Sequence, residues 1–205
     1  MSRVIADISI SVDGYVTGPD AGPTNGLGTH GEGIHAWVLE EPRSPIDDEV
    51  LARSYESTGA VILGRRLFDV VDGPDGWNDD VGYGYDQDQS VAPPCFVVTH
   101  EPPEKVRLAS RFRFVTGGVA EAVRVAGEAA GDKDVVVMGG ANVVDQCLAD
   151  GLVDELRIHY SPLLVGAGTR LFTLGGRSAL VQREVIVSPR ATHVTYDVVD
   201  ESASA

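Results

Sequence analysis

Three apolar runs in this 205-residue chain end in turns whose residue types can do chemistry. Val135-Val136-Val137-Met138 meets Gly139-Gly140 and then a helical pattern opening at Ala141-Asn142-Val143. Two glycines let backbone approach a ligand closely, and the unpaired N–H groups that open a helix favour an anion such as a pyrophosphate. Ala60-Val61-Ile62-Leu63 ends at Gly64-Arg65-Arg66, two adjacent fixed cations whose planar forks pair with phosphate oxygens. Cys95-Phe96-Val97-Val98 closes at Thr99-His100. A glycine pair alone also fits a plain strand-to-helix turn, and an arginine pair alone also fits a solvated surface. Together, at strand ends, they point to a phosphate-bearing ligand.

The elements that must position these turns alternate between strand and helix. Arg3 to Val12 is β-branched and alternating, a strand that turns at Asp13-Gly14. A Gly- and Pro-rich loop from Gly18 to Gly33 follows, long enough to act as a lid over a pocket. His35 to Leu39 reads as a short helix ending before Pro42. Ser44-Pro45-Ile46-Asp47-Asp48-Glu49 opens another helix running to about Ser57, with a capping Ser, a first-turn Pro and three acids at the positive end of the dipole. A short helix around Leu67-Phe68 leads into a long loop, Asp72 to Ser90. Phe112 to Val115 is a strand, Val119 to Ala130 an amphipathic helix stopped by Gly131, and the helix after Gly140 stops at Gly151. Glu155 to Ser161 alternates as a strand, Gly166 to Gly176 is loop, and Val181–Val187 with Thr192–Val198 forms a hairpin across Ser188-Pro189-Arg190. The pattern predicts an α/β fold in one domain over residues 1–200: a mostly parallel central sheet with helices on both faces, an antiparallel C-terminal hairpin, and a frayed tail at 201–205.

Composition removes several classes. Sixteen basic side chains against thirty-one acidic ones leave a net charge of −15, which argues against nucleic acid and anionic membranes as partners. No apolar run is long enough to span a bilayer, and the first residues, Met1 to Asp7, meet an acid too early for a signal-peptide core. Cys95 and Cys147 stand alone without a C-x-x-C, which predicts two reduced, buried thiols, no disulfide or zinc framework, and a cytoplasmic location. His30 and His35 lack a third ligand at a metal-binding spacing, so no metal is expected. Gly82-Tyr83-Gly84-Tyr85 and Gly166-Ala167-Gly168 mimic pieces of a dinucleotide fingerprint. The first follows no strand and opens no helix, and no helix pattern follows the second.

Taken in order, these motifs resemble the dihydrofolate reductase-like superfamily. The carriers are Ser11-Val12-Asp13-Gly14-Tyr15, Val61 to Arg66, Val97 to His100, Val137 to Ala141, Gly151-Leu152-Val153-Asp154-Glu155-Leu156 and Pro162 to Gly168. The nearest branch is the reductase domain of the bifunctional riboflavin-biosynthesis deaminase/reductases, in its stand-alone bacterial form, over roughly residues 3 to 199. The deaminase domain's H-x-E and P-C-x-x-C zinc signature is absent from the chain. The resemblance implies an NADPH-dependent reductase with the cofactor across the carboxyl edge of the sheet. By match, Gly64, Arg65 and Arg66 face its phosphates, one arginine near the 2′-phosphate, and Thr99 and His100 flank the adenosine. Met138, Gly139, Gly140, Ala141, Asn142 and Val143 line the pyrophosphate and nicotinamide, and Ala6 with the turn from Asp13 through Tyr15 and Val16 to Thr17 borders the nicotinamide.

The substrate is then expected between that turn, the His35–Trp37 helix and Tyr160. It would be a small pterin- or pyrimidine-like molecule whose C=N or C=O bond accepts hydride. Asp13, Tyr15, His35 and water are the candidate proton donors. A nucleotide-binding module without turnover and a structural dimer domain are the alternatives. The alternating Val and Ile of the C-terminal hairpin, at a sheet edge that needs cover, predict a homodimer.

Overall fold

The computed structural model describes residues 2–173 and 178–199. Its centre is an eight-stranded sheet with strand order β5-β4-β3-β6-β1-β7-β10-β9. The strands are β1 (Val4–Ser11), β3 (Thr58–Gly64), β4 (Cys95–Val98), β5 (Phe112–Val115), β6 (Asp134–Gly139), β7 (Glu155–Ser161), β9 (Ala179–Val187) and β10 (Thr192–Val199). Neighbours from β5 through to β7 are parallel, while β10 pairs antiparallel with both β7 and β9. A separate two-stranded ribbon joins β2 (Tyr15–Thr17) to β8 (Thr169–Arg170). The loop expected over Gly166 to Gly176 therefore contains a short strand: Arg170 has a partner, Tyr15, whose ring and hydroxyl both receive its guanidinium. Residues 174–177 of that loop and the expected tail at 201–205 lie outside the described residues.

Helices cover both faces. α4 (Gly118–Ala130) and α5 (Ala141–Ala149) pack on the face that carries Ala6, Ile8, Ile62, Val135 and Val137. α2 (Pro45–Ser57) and α3 (Arg65–Val71) lie on the other, with Ile5, Val61, Leu63 and Val136 beneath α3 and its neighbours. α1 (Ala36–Leu39) follows a 3-10 turn, Glu32–His35, and presents Trp37 to α2. Ser44 caps α2 by accepting from the Asp47 N–H, and Gly131 ends α4 at φ +63°, a conformation glycine adopts freely.

The loop from Gly18 to Gly33 folds back on itself. Gly18 N donates to Leu27 O and Thr29 N to Pro19 O, and side chains at Gly18, Gly28 or Gly31 would collide with neighbouring backbone. Its glycines serve this close packing, and only Leu27 of the loop reaches the cavity described below.

Candidate active site

Strand parity decides which residues face the two sides of the sheet. Along β1, Val4, Ala6, Ile8 and Ile10 point to the α4/α5 core. Alternation sends Asp7 and Ser9 to the α2/α3 side, where β7 adds His159. These polar residues floor a cavity of about 420 Å³. Its walls are largely aromatic and aliphatic: Trp37, Leu51 and Tyr55 from α1 and α2, Leu67 and Val71 from α3, Met138 from β6, and Trp77, Tyr83 and Tyr85 from the loop after α3. That volume lies in the range of small-molecule sites.

The roof is the Asp72–Ser90 segment, whose Gly-Tyr-Gly-Tyr run follows no strand and opens no helix directly. Its glycines answer to packing instead: a side chain at Gly84 would strike Tyr55, and one at Gly82 would strike Gln89. Gln89 Nε2 donates to the carbonyls of Tyr83 and Gln87, and Arg107 clamps the start of the loop through Asp72 O and Gly73 O.

Beneath the cavity runs a chain of buried hydrogen bonds. Asp7 Oδ1 lies 2.8 Å from His159 Nε2, His159 Nδ1 lies 2.7 Å from His193 Nδ1, and His193 Nε2 lies 2.9 Å from Asp47 Oδ1. Asp47, in the first turn of α2, is fully buried, and Ser44 Oγ donates to its other oxygen. Ser54 Oγ donates to Asp7 Oδ2. Trp37 lies against both imidazoles at ring-centre distances of 4.5 and 4.9 Å and donates its indole N–H to Ser9. Burial pushes the Asp7 carboxyl up, but His159, with Arg157 behind it, prevails and holds it below the ordinary range. Burial and the neighbouring His159 push His193 down against the pull of Asp47.

The expected site residues divide between this cavity, the carboxyl edge and neither. His35, Trp37 and Met138 line the cavity. His35 is pushed down to about 4 by burial and then by the charge of His159, so it is neutral at physiological pH, and its buried Nδ1 has no partner among the described residues. Tyr160 does not line the cavity. It packs on the opposite face with the α4/α5 core, and its neighbour His159 takes the expected position. Ala6 and Val16 are likewise buried in that core. Asp13 accepts from Ser11 Oγ and from the N–H groups of Val165 and Gly166, which together hold it down to about 2. A carboxylate so held is a clasp between the β1 turn and the 162–168 loop, not a proton donor at neutral pH. Tyr15 is buried beside Arg170 and stands outside the cavity lining, while Thr17 keeps a buried hydroxyl without a partner among the described residues.

At the carboxyl edge, Gly64, Thr99 and Gly139 come together because β4, β3 and β6 are adjacent and parallel. A side chain at Gly64 would press on Val143. Gly139 has φ +132°, and a Cβ there would touch Leu67 and Ile8, both cavity residues. Gly140 precedes α5 with open space before it, and no side chain caps the helix, so the N–H groups of Ala141 and Asn142 stay available. Arg65 is tied to Asp69 and to Glu101 O, and Thr99 Oγ donates to the same carbonyl. His100 is exposed. Arg66 is exposed, with no carboxylate partner among the described residues.

A family model described as the RibD C-terminal domain matches residues 2–195. The chain belongs to the RibD C-terminal domain family. Among proteins with a RibD C-terminal domain-like fold, one from Shewanella sp. PV-4, named as a candidate riboflavin biosynthesis protein, superposes with a TM-score of 0.70 at 20% identity, covering 98% of this chain and all of that one. A pyrimidine reductase-like protein of Corynebacterium diphtheriae gives 0.62 at 14%, over 98% and 93%. The Thermotoga maritima diaminohydroxyphosphoribosylaminopyrimidine deaminase/5-amino-6-(5-phosphoribosylamino)uracil reductase gives 0.60 at 15%, where 97% of this chain spans 57% of the enzyme. In sequence, the uncharacterized protein YyaP of Bacillus subtilis is 22% identical over 176 residues, 83% of this chain and 80% of its own. At these identities the structural likeness establishes the fold.

Proposed function

We propose that this RibD C-terminal domain protein is an NADPH-dependent reductase that delivers hydride to a C=N or C=O bond of a small heterocycle in the cavity. One observation carries the reading: Gly139 joins the open N-terminus of α5 to the cavity, since the atoms nearest a Cβ there belong to Leu67 and Ile8. A dinucleotide with its pyrophosphate on α5 would bring its nicotinamide to that junction. The Shewanella and Corynebacterium neighbours and the reductase half of the Thermotoga enzyme point the same way.

The residues present fit such a cofactor. Ala141 and Asn142 offer free N–H groups to the pyrophosphate, and Gly140 leaves the approach clear. Arg66 is the cation free to meet a 2′-phosphate, whereas Arg65 is already engaged. When bound, the reduced nicotinamide supplies the hydride. The protein positions the acceptor between aromatic walls, excludes water under the 72–90 roof, and holds a proton beside the acceptor at Asp7 and His159. Those two replace Asp13 and Tyr15 as the proton source in this account, because they line the cavity.

Both thiols are buried and pushed up to about 12, Cys95 by burial and Cys147 by burial and then Asp150, which suits a reduced, cytoplasmic setting. We also propose a homodimer through β9, an edge strand with Val181, Val185 and Val187 exposed. The test of the reductase reading is NADPH oxidation against a panel of neutral pterins, dihydropterins and aminopyrimidines. Turnover of any member supports it, and NADPH binding without turnover of any acceptor supports the non-catalytic module instead.

A further inference from the structure

We infer that the cavity takes an uncharged ring compound, bearing neither phosphate nor carboxylate, and that this separates its substrate from the phosphoribosyl compound for which the Thermotoga neighbour is named. The inference rests on the reductase reading for its chemistry, but its argument concerns the cavity alone.

The charges around the cavity decide it. Among the described residues lining it, the only formally charged side chains other than the histidines are the carboxylates Asp7 and Asp75. His35 is neutral, being pushed down to about 4 by burial and the charge of His159. Three hydrogen bonds join Asp7, His159, His193 and Asp47 in a row, and the three protons that serve them leave these four groups together with one net negative charge. The floor is thus net negative. Tyr83 adds no cation, and its hydroxyl is pushed up by burial and then by the charge of Asp7.

Two guanidinium groups nearby are matched by carboxylates, and those of Arg107 and Arg111 are spent on backbone carbonyls of the roof. Arg43 lies over the Tyr85 ring but pairs with Glu41, Asp48 and Asp86 at 3.1, 2.7 and 2.7 Å. Arg157 pairs with Glu155 at 2.6 Å and approaches Asp7 at 3.9 Å. A phosphate brought into this space would lose its water, gain no cation and face carboxylates across a medium of low dielectric. A flat neutral ring loses little and gains contact with Trp37, Trp77 and Tyr83. Donors and acceptors for ring nitrogens or carbonyls are at hand in Asp7, Ser54 and the unpartnered His35 Nδ1.

The chain's two tryptophans, Trp37 and Trp77, both line the cavity, so their fluorescence reports its occupation directly. Three probes share one ring and differ in charge: 6-hydroxymethylpterin, pterin-6-carboxylate and 6-hydroxymethylpterin phosphate. The expected result is saturable quenching by the neutral pterin, with the carboxylate and the phosphate each bound at least about tenfold more weakly. Asp75 is exposed, so Asp75→Lys should leave the fold intact and narrow the ratio between the neutral pterin's affinity and the phosphate's. A phosphate ester that binds the unaltered protein as tightly as the neutral pterin overturns the inference, and so does the absence of quenching by all three. NADPH titrated into the same protein without pterin reports separately on the reductase reading, so the two can fail independently.

Discussion

The Nδ1 atoms of His159 and His193 face each other at 2.7 Å, and one proton must serve both. Their Nε2 atoms each meet a carboxylate, Asp7 and Asp47, so three protons serve the three hydrogen bonds of the row. Movement of the central proton carries the charge toward the cavity or away from it. Ser44, half-buried at the start of α2, links the far end to the surface through Asp47. Nitrogen-15 spectra of the histidine side chains should show a linked response of both rings when Asp47→Asn removes one carboxylate. Replacing His193 with Phe should cost about 3–5 kcal/mol, because it strands Asp47 in the interior. Two imidazoles that titrate independently with ordinary values would contradict the arrangement.

Acid should destabilise this fold early. His35 and His193 both have folded-state values below the usual 6.5, and Asp7 lies below 3.8. A group whose value is lowered by folding binds more protons when unfolded, so its stabilisation is complete above the unfolded value and is lost as pH falls. The thermal midpoint should therefore drop as pH falls from 6.5 to about 4 through His35, with His193 acting in the same direction, and again below 3.8 through Asp7. His35→Gln should flatten the upper part of that profile. A midpoint constant from pH 7 to 4 would contradict the burial of both imidazoles.

Asn142 offers a variant that separates stability from cofactor binding. It lies exposed in the first turn of α5 and accepts from Gln146 Nε2. Asn142→Asp keeps an acceptor there and adds a charge that favours the helix dipole by about 0.3–1 kcal/mol. It also sets an anion where the pyrophosphate is proposed. The thermal midpoint should hold or rise while NADPH and NADH affinities fall together, by about tenfold or more. Unchanged affinity would move the pyrophosphate elsewhere.

The β9 edge makes the oligomer testable. Val185→Glu places a charge on an exposed strand position without touching the cavity or the carboxyl edge. Sedimentation should show a dimer for the unaltered protein and a monomer for the variant at micromolar concentration. A monomer in both cases removes the proposed pairing.

The carboxyl-edge turns were legible because their residues are local: Gly139-Gly140 before a helix and Gly64-Arg65-Arg66 after an apolar strand are visible in a few letters. The parallel order and the hairpin followed from alternation of apolar runs with helical ones. The cavity floor was not read, although a signal was present. Asp7, Ser9 and Ser11 stand at every second position of an otherwise apolar β1, and Glu155, Arg157, His159 and Ser161 do the same in β7. Polar residues on one face of a buried strand mark a lined space beside it. Choosing Tyr160 in place of His159 missed that phase by a single residue. His193 and Asp47 could not be joined to them from sequence, because their contact depends on how β10 and α2 meet across 146 positions. The Asp72–Ser90 roof was equally hidden, since its glycines serve contacts with Tyr55 and Gln89.

Direct binding of the reduced dinucleotide is the sharpest test of the reductase account. With Trp37 and Trp77 at the cavity, titrating NADPH and NADH at low salt and following tryptophan quenching gives both affinities in one experiment. Saturable binding is predicted, tighter for NADPH. Arg66→Ala should weaken NADPH by roughly 10- to 150-fold, the worth of a charge-assisted hydrogen bond, while NADH barely changes. The absence of saturable binding of either dinucleotide to the unaltered protein would contradict the account.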